Sequence, residues 1–477
     1  MTMGGTGRLL MLALCTLAGA CSLAPDYARP EAPVPQDFPV GPAYAPSDAT
    51  LPAVSYTDLF RDNRLLELVE VALDNNRDLR IAAANIAEAR ALVRVTRSAQ
   101  FPQVAVGASA DVNVQSGGDS QAYALEGGIA SYELDLFGGL ANATVAEREL
   151  ALASEAAAAS VRIGLVADIA AAWAAYAADQ DLRAIAQDTA ENARRSVVLT
   201  RARLEGGIAP RTDLRQAEQV LATAEGDLAQ QTAALAEDVN LLQLLVGSSI
   251  DPELLPGGLA EIMEVIGTLP AGTRSEVLLR RPDVLEAEFV LRSANADIGV
   301  ARAALFPRIS LTGLLGLGSD ALGSLFTGGA LSGSVGADLA QTIFDAGGRR
   351  ANVEVSQARR DAALAAYERS IQTAFREVAD ALATEGTIED RLNAARRNTF
   401  AAADTAQLTE ERYRGGVESF LANLLSQRSL YAARRDEVAI SLIALQNRLT
   451  LYRVLGSDAE LAALPSASPS PAAAQER

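Results

Sequence analysis

The chain has 477 residues, a formal net charge of -19, two cysteines and no histidine, and all 41 basic residues are arginine. The missing imidazole and amine exclude a Ser-His-Asp triad, a Schiff base and a P-loop, and they leave most zinc sites without ligands. The acidic balance argues against nucleic acid as a partner, since phosphate binding depends on clustered cations, and it favours a solvated acidic surface instead.

The N-terminus predicts export. Residues 1–20 hold one basic residue, an apolar run and small residues before Cys21, which is typical of a secretory signal peptide too short to span a membrane. The ending LAGAC resembles a bacterial lipobox, which implies cleavage before Cys21 and both a diacylglycerol and an N-acyl chain on it. Such a set of acyl chains suffices for stable anchoring. The alternative is ordinary signal cleavage with Cys21 as a bystander. The Pro-rich residues 21–57 are predicted to form an extended lipidated tether.

A fixed offset of 209 residues relates the two halves of the chain. The matched landmarks are spread over more than a hundred residues, so the segments between them have equal lengths. This indicates a tandem duplication of one structural unit, since the period is far longer than the roughly 20 to 50 residues of a solenoid repeat. The landmark pairs are Gly139 and Gly348, Gly207 and Gly416, and Gly247 and Gly456.

Each copy is predicted to contain a helix, a β-hairpin and a long helical hairpin. The segment between the copies is predicted to be a linker, and the Ser- and Pro-rich C-terminus to be disordered. The predicted divisions are the signal peptide at 1–20, the tether at 21–57, repeat 1 at 58–247, the linker or equatorial segment at 248–281, repeat 2 at 282–456 and the tail at 457–477.

Strand-like alternation follows an opening helix in each repeat, the helices being predicted at about 58–99 and 282–303. In 103–115 every even position is apolar and most odd positions are polar, which is the period of a strand with two different faces. In 121–136 the apolar residues change phase, which predicts a bulge or an exit from the sheet near Ala130.

The second repeat shows the same alternation from Arg308 to Leu317 and from Leu331 to Ile343. Long strands with one apolar and one polar face are typical of membrane β-barrels, although a half-buried soluble hairpin shows the same pattern. Export and the predicted lipid favour the barrel. Four strands cannot close a barrel, so one chain must supply only a fraction of it. Two copies would give about eight strands and a filled interior, whereas three would give about twelve and leave a lumen.

A very long helix is predicted after each β-hairpin, at 140–204 and 349–413. Both lack proline and are rich in strong helix formers, and about 65 residues would extend on the order of 100 Å. A Gly-Gly pair then reverses the chain, and shorter helices return at about 211–246 and 420–455. The many alanines allow close helix packing. The alternative, an ordinary dimeric coiled coil, would favour Leu and Ile at the a and d positions.

Residues 269–319 read LPAGTRSEVLLRRPDVLEAEFVLRSANADIGVARAALFPRISLTGLLGLGS. With RRPDV at 280–284, FPRISLTG at 306–313 and the N-terminal CSLAPDYARPEAPVP, the chain resembles the lipoprotein (NodT-type) branch of the TolC-like outer-membrane factor family, the exit ducts of tripartite efflux pumps. The resemblance extends through both Gly-Gly pairs to about residue 456. The chain departs from the family pattern at Arg274, where the family usually has Pro.

The resemblance implies a mixed α and β membrane protein: a homotrimer whose 12-stranded outer-membrane β-barrel, with four strands per chain, continues into a long periplasmic α-helical barrel. It implies a passive duct in the bacterial outer membrane for drugs or other small toxic compounds, not an enzyme, with no cofactor besides the lipid on Cys21. The implied partners are outer-membrane lipid, a periplasmic adaptor (membrane fusion protein) and an inner-membrane transporter of the RND type. The alternatives are a metal-ion or protein-secretion duct of the same fold, or a non-conducting structural lipoprotein that spans the periplasm.

The resemblance also assigns residues. Leu421 and Arg428 match positions at which relatives close the periplasmic aperture, and Leu425 stands where the family commonly has Asp. This departure suggests an apolar constriction, which would exclude water rather than attract cations. The alternative is that both leucines pack between helices. The positions implied to dock the adaptor are Arg203, Gly206, Gly207 and Asp213 in repeat 1, and Arg414, Gly415, Gly416 and Ser419 in repeat 2.

Overall fold

The computed structural model describes residues 22–44, 55–113, 120–267, 274–327, 329–456, 458 and 461. The predicted signal peptide, Cys21 and residues 462–477 of the predicted tail lie outside these residues. The chain divides into two compact units. The sheet unit comprises the described parts of Met1–Ala32, Ala84–Ala156 and Leu285–Ser370, and the helical unit comprises those of Pro33–Ala83, Ala157–Val284 and Ile371–Arg477.

The described residues form helices, one sheet and short 3₁₀ turns. The helices are α1 (Tyr56–Leu59), α2 (Asn63–Asn75), α3 (Arg77–Ser98), α4 (Gly139–Glu205), α5 (Arg211–Val246), α6 (Leu259–Ile262), α7 (Pro282–Ala303), α8 (Gly348–Arg414) and α9 (Phe420–Leu455). The strands are β1 (Val104–Asn113), β2 (Ser120–Glu133), β3 (Arg308–Ser319) and β4 (Leu331–Ala340), and the 3₁₀ turns are Pro252–Leu254, Ser275–Arg280 and Leu322–Ser324.

The single helix predicted at 58–99 is wrong, because α1, α2 and α3 occupy this segment. Asp62 caps α2 by accepting the amide of Arg64 at 2.8 Å. Asn76 separates α2 from α3, since its backbone is extended and its side chain accepts the amide of Leu79 at 3.0 Å. Polar side chains that cap the backbone therefore decide where these helices end. The linker predicted at 248–281 likewise contains a short helix and two 3₁₀ turns.

The four strands form one antiparallel sheet in the order β1-β2-β3-β4. Directly opposed residues share a face of a sheet. Val106 opposes Gly127, which in turn opposes Leu315, and Leu315 opposes Gly333. The even apolar positions of β1 therefore share one face, here called the apolar face, with the odd positions of β3 and β4. The predicted alternation is confirmed in all four strands.

The predicted irregularity near Ala130 is confirmed, because the β2–β3 register shifts between Ile129 and Tyr132. Ile129 opposes Gly313 and Tyr132 opposes Leu311, so both lie on the apolar face although one has an odd number and the other an even one. The bulge thus corrects the change of phase seen in the sequence. It keeps the face apolar from Tyr123 to Tyr132.

Two strands end earlier than predicted, β2 at Glu133 and β4 at Ala340. The chain turns from these ends into the long helices with the help of aspartate side chains. Asp135 accepts the amide of Ala141 at 2.7 Å, and Asp345 accepts the amide of Arg349 at 3.1 Å. Strands β2 and β4 therefore end at these polar caps, although the apolar alternation continues in the sequence.

The long helices agree with the predicted lengths. Helices α4 and α8 have 67 residues each, and α5 and α9 have 36 residues each. By length and composition, α4 alone among the described helices could cross a membrane, but 44% of its apolar window is buried within the structure. Trp173 of α4 is fully buried, and its indole donates to the carbonyl of Leu254 at 2.9 Å. Packing inside the protein therefore accounts for much of the apolar character of α4.

The predicted tether is bound to the folded chain where the structure describes it. Within the sheet unit, Arg29 forms an ion pair at 2.7 Å with Glu288, whose side chain is buried. Within the helical unit, Phe38 is buried and its ring stacks on Phe375 with centroids 4.9 Å apart. The described part of the predicted tether is therefore held against the folded chain by an ion pair and a ring contact.

The prediction that residues 457–477 are disordered is wrong at the first of them that the structure describes, Asp458. Asp458 is buried, and its carboxylate accepts the amide of Tyr56 at 2.8 Å and the hydroxyl of Tyr452 at 2.6 Å. Leu461 is buried as well. Hydrogen bonds to α1 and α9 order this part of the chain, and the composition of the tail gave no sign of them.

The RRPDV motif has a structural explanation. Arg281 is buried, with 8% of its side chain exposed, and its guanidinium donates to both carboxylate oxygens of Asp283 at 3.0 and 2.7 Å. It also donates to Glu377 at 2.9 Å and to the carbonyl of Val454 at 2.7 Å. A single side chain therefore joins the start of α7 to α8 and to the C-terminal end of α9.

Replacing Arg281 by alanine should lower the free energy of unfolding by roughly 2–4 kcal/mol, because the carbonyl and both carboxylates lose a charged donor. Arg280 is the matched control, since it precedes Arg281 and is exposed; Arg280→Ala should change stability by about 0.5 kcal/mol or less. Guanidinium unfolding in detergent, followed by the emission of the sole tryptophan, Trp173, measures both variants. Equal losses would contradict the assigned role.

Candidate functional site at the tips of the helical hairpins

Each helical hairpin reverses at a Gly-Gly pair with the same backbone geometry. At the end of α4, the amide of Ile208 donates to Arg203 O at 2.9 Å, and that of Gly207 donates to Leu204 O at 3.0 Å. These two bonds form a Schellman motif. Its left-handed position is occupied by Gly207, with a φ of 73°, a conformation that costs a residue with a side chain about 1–2 kcal/mol.

The second hairpin repeats this turn. Val417 donates to Arg412 O at 2.9 Å and Gly416 donates to Tyr413 O at 3.1 Å, with a φ of 77° at Gly416. The second glycine of each pair is therefore required by the backbone. Gly206 and Gly415 have ordinary φ values, and an added Cβ would meet ordinary contacts of 3.4 to 3.5 Å there.

The two tips are joined by a small apolar core. Tyr413 and Phe420 are buried in it, with ring centroids 5.7 Å apart. Both hairpins contribute to this cluster, here called the tip core, so the tips are packed against each other within the helical unit. The tip core consists of Val197, Leu214, Ala217, Tyr413 and Phe420, with Leu204, Leu221 and Leu424 packed against it.

A cation adds a directional contact between the tips. The guanidinium of Arg203 lies over the ring of Tyr413, 4.4 Å from its centroid, and donates to the Tyr413 carbonyl at 3.4 Å. Arginine over a tyrosine ring contributes about 0.5–2 kcal/mol, depending on solvent exposure. Arg203 was expected to contact a partner. Within this chain it binds the neighbouring hairpin.

The other residues implied for docking lie at the tips as expected. Asp213 lies in the first turn of α5, where its negative charge stabilises the helix by interacting with the positive end of the helix dipole. Arg414 forms an ion pair with Glu410 one turn before it. Ser419 caps α9, because its hydroxyl accepts the amide of Ala422 at 3.1 Å. This capping bond uses one acceptor position of the Ser419 hydroxyl and leaves its O–H free to donate.

The aperture residues share one side of α9. Leu421, Leu425 and Arg428 are spaced by four and three residues, which aligns them along a helix. All three are exposed in the single chain, Leu421 by 52% and Leu425 by 54%, whereas Asn423 and Ser426 between them are buried. The leucines are therefore not packed between helices of this chain, and their apolar side chains remain open to another surface.

Sequence reasoning missed a polar contact behind the tips. The Tyr431 hydroxyl on α9 donates to Asp227 on α5 at 2.7 Å, which joins the two hairpins. Burial and this hydrogen bond raise the pKa of Tyr431 to about 12, so the hydroxyl keeps its proton throughout the physiological range. The position of Tyr431 within the return helix gives no sign of its partner, which lies 204 residues away.

Two carboxyl groups lie close together farther along the first hairpin. Asp179 of α4 is near enough to Asp238 of α5 for its charge to act on the Asp238 carboxyl. Burial first, and then the charge of Asp179, raises the pKa of Asp238 to about 7. Its Oδ2 is buried without a hydrogen-bond partner among the described residues. Nor is any group of three or more possible metal ligands found in the described part of the chain.

The chain combines a sheet that has an apolar face with two long helical hairpins. This is the architecture of outer-membrane channels that have few strands and long helices in each chain. Residues 68–248 and 273–457 match the outer membrane efflux protein family. The chain belongs to that family, whose members are transport ducts rather than enzymes. It is an efflux channel of the outer membrane. The outer-membrane components of efflux pumps work with an adaptor and an inner-membrane transporter.

The chain is similar to known proteins over almost its whole length. It is 39% identical to two proteins of Pseudomonas putida, the antibiotic efflux pump outer membrane protein ArpC and the toluene efflux pump outer membrane protein TtgC. Both matches cover 94% of this chain and 96% of the relative. The solved open state of the Neisseria gonorrhoeae MtrE outer membrane channel matches with a TM-score of 0.81 and 32% identity, over 92% of this chain and 98% of that one.

The Asp179–Asp238 pair predicts a pH dependence of stability. Because the folded pKa of Asp238 lies above the ordinary carboxyl value, its contribution to stability is complete in acid and is lost as the pH rises through about 7. The free energy of unfolding should fall by up to about 1 kcal/mol between about pH 6 and pH 8, after allowance for solvent screening. Asp238→Asn should remove this dependence.

Glu237→Gln is the comparison, since Glu237 is exposed and its charge is the smallest of the causes that raise the pKa of Asp238. That variant should keep the pH dependence but move it slightly to lower pH. Guanidinium midpoints at several pH values, read from Trp173 emission, give the comparison. The same pH dependence in wild type and Asp238→Asn would contradict the raised pKa of Asp238.

Proposed function

We propose that three copies of this chain form the outer-membrane exit duct of a tripartite efflux pump, with a 12-stranded β-barrel and a periplasmic α-helical barrel. The observation that carries the proposal is the four-stranded sheet with one apolar face. Four strands cannot enclose a lumen, and about twelve can. The equal lengths of α4 and α8, and of α5 and α9, support an origin of the two halves by duplication.

We propose small toxic compounds as the cargo, including antibiotics and apolar solvents. The names of the relatives ArpC and TtgC, which refer to antibiotic and toluene efflux, support this range. The inner-membrane partner would be a transporter of the RND type, reached through a periplasmic adaptor. The duct itself would be passive, with the energy supplied by the transporter.

The tips are the proposed docking surface for the adaptor. Ile208 and Val417 follow the left-handed glycines and are 77% and 71% exposed, so each tip presents one apolar side chain. Arg203 and Asp213 of the first tip, with Arg414 of the second, supply charge around them. Gly206, Gly207, Gly415, Gly416 and Ser419 would act through the shape of the turn, since their atoms form its backbone and cap.

The periplasmic aperture is the proposed place of closure. Leu421 and Leu425 lie exposed on one side of α9, and a threefold repeat would form rings of leucine. Such rings close a channel by excluding water. Arg428, one turn farther along, would mark the charged side of the constriction. The exposure of both leucines supports this role, because nothing in the described part of the chain covers them fully.

The chain is proposed to carry a lipid on Cys21, following the lipobox-like LAGAC. Purified protein should then have the intact mass of residues 21–477 plus acyl chains, and light scattering with detergent subtracted should give three chains per complex. Cys21→Ser should lose the acyl mass. A stable single chain would exclude the barrel, and an unmodified wild-type N-terminus would exclude the lipid.

Leu421→Ala combined with Leu425→Ala should leave the resting channel leaky, because two apolar layers of the constriction are removed. Cells carrying the double variant should become sensitive to vancomycin, and the purified variant should conduct more ions in planar bilayers. Leu408→Ala is the matched control, since Leu408 is also 52% exposed but lies on α8. Vancomycin sensitivity and conductance equal to wild type in the double variant would refute the gate.

A further inference from the structure

The N-terminal residues 22–29, here called the strap, lie along α7 within the sheet unit. Residue numbers rise along the strap and fall along α7, so the two segments are antiparallel. Between the outermost contacts α7 rises about 21 Å, and the strap covers about 20 Å if it is extended. The strap is therefore an extended segment bound to a helix. Its contacts are Leu23 O with Arg302 at 3.1 Å, Pro25 O with Asn295 at 2.7 Å and Arg29 with Glu288 at 2.7 Å.

Backbone fit and charge both hold the strap on α7. A Cβ added to Gly299 would lie 2.8 Å from the amide nitrogen of Ala24, so a side chain there would push the strap away. At the other end, the buried carboxylate of Glu288 pairs with Arg29 and also with Arg292 at 2.6 Å. The helix thus offers a glycine for close approach and a carboxylate for the basic end of the strap.

Helix α3 is the counterpart of α7 in repeat 1. Both helices have 22 residues. Their first residues, Arg77 and Pro282, and their last residues, Ser98 and Ala303, are separated by the same number of positions. The two helices therefore align residue by residue, and each strap-binding position of α7 has a counterpart on α3.

The counterpart positions on α3 are basic. The acidic position is lost and two further arginines are present, in a chain whose net charge is -19. Arg90, Arg94 and Arg97, here called the basic flank, are spaced by four and three residues, which aligns them along one side of the helix. The positions Glu288, Asn295, Gly299 and Arg302 of α7 correspond to Ala83, Arg90, Arg94 and Arg97 of α3.

The basic flank is open in the single chain, since all three of its arginines are exposed. Arg90 forms an exposed ion pair with Glu155 at 2.8 Å. Arg94 donates to Arg90 O at 3.2 Å, and the guanidinium of Arg97 lies 5.9 Å from the centre of the Phe101 ring. Neither Arg94 nor Arg97 pairs with a carboxylate in the described part of the chain. Clustered cations without counter-charges attract anionic groups.

The strap of this chain does not suit the basic flank. Arg29 would meet Ala83 instead of a carboxylate, and Arg94 replaces the glycine that the strap backbone approaches. An occupant must therefore lie farther from the helix and must carry acidic side chains. Between Arg90 and Arg97 the helix rises about 10 Å, which an extended chain covers in about three residues.

We propose that the basic flank of α3 binds an acidic, extended segment of a second envelope protein, as α7 binds the strap. The segment would carry two or three carboxylates within about four residues, which matches the length of the flank. This partner is additional to the adaptor at the tips. The inference depends on the duplicated helices and not on the proposed barrel.

Fluorescence anisotropy tests the site with the full protein in a neutral detergent. The probe is a labelled peptide of about five alternating glutamate and proline pairs, which proline keeps extended. The peptide should bind saturably, and salt should weaken the binding because it screens exposed charges. The same peptide with glutamine in place of glutamate should not bind.

Replacing all three arginines of the basic flank by glutamine should weaken binding of the acidic peptide about tenfold, because each exposed ion pair contributes a few-fold. The single variant Arg94→Glu should weaken it as well. That substitution breaks no ion pair among the described residues, so the variant should fold, and the emission of Trp173 during guanidinium unfolding checks this.

A second triple variant on α8 is the matched control. Arg391→Gln, Arg396→Gln and Arg397→Gln remove the same charge from exposed positions. This variant should bind the peptide as the wild type does. A weakening confined to the α3 variants would support the proposal, because overall charge is equal in the two triple variants.

Two results would overturn the proposal. Equal affinities of the two triple variants would show that the peptide responds only to overall charge. Absence of saturable peptide binding would exclude the site for polypeptide, and short-chain phosphatidylglycerol that then binds wild type but not the α3 variants would assign the flank to lipid headgroups. Conductance in planar bilayers separates this inference from the duct. A conducting protein that binds no peptide refutes the α3 site alone, whereas a non-conducting protein refutes the duct.

Discussion

Unpaired strand edges impose the main constraint on this structure. The sheet ends at β1 and β4, whose outer backbone groups have no partner strand among the described residues. In water such edges invite association, and in hydrocarbon every unpaired N–H and C=O costs several kcal/mol. A four-stranded sheet with a continuous apolar face cannot enter a bilayer alone. In the proposed duct, pairing of β4 with β1 of another copy would satisfy both edges.

The apolar face meets that constraint only because of the bulge in β2. Without the shift between Ile129 and Tyr132, the tyrosine and the residues that follow it would point to the polar face. One extra residue therefore keeps the apolar side chains on one face across a change of phase. Asp135 and Asp345 then turn the chain from the sheet into the long helices.

Periodicity and spacing predicted the regular parts of the structure well. The 67-residue helices, the return helices, the alternation of the strands and the bulge all depend on local patterns that a sequence displays. The missed features depend on contacts between distant residues. Asn76, which splits a predicted helix, donates to the carbonyl of Leu245 169 residues away. Arg281 joins segments up to 173 residues apart, and Tyr431 reaches Asp227 across 204 residues. The candidate site was located by its glycines, whereas the side chains that join the tips could be identified only from the packing.

The tip contacts are strong enough to hold the hairpins together and weak enough to be exchanged. Arg203 over Tyr413 contributes about 0.5–2 kcal/mol, and the hydrogen bond from Tyr431 to the charged Asp227 contributes about 1.5–3 kcal/mol. Their sum is a few kcal/mol, in the range by which a bound partner shifts an equilibrium between two states. In the proposed docking, a partner that draws the guanidinium of Arg203 away from the Tyr413 ring would remove part of this sum. Docking and loosening of the contact between the hairpins would then be coupled through one side chain.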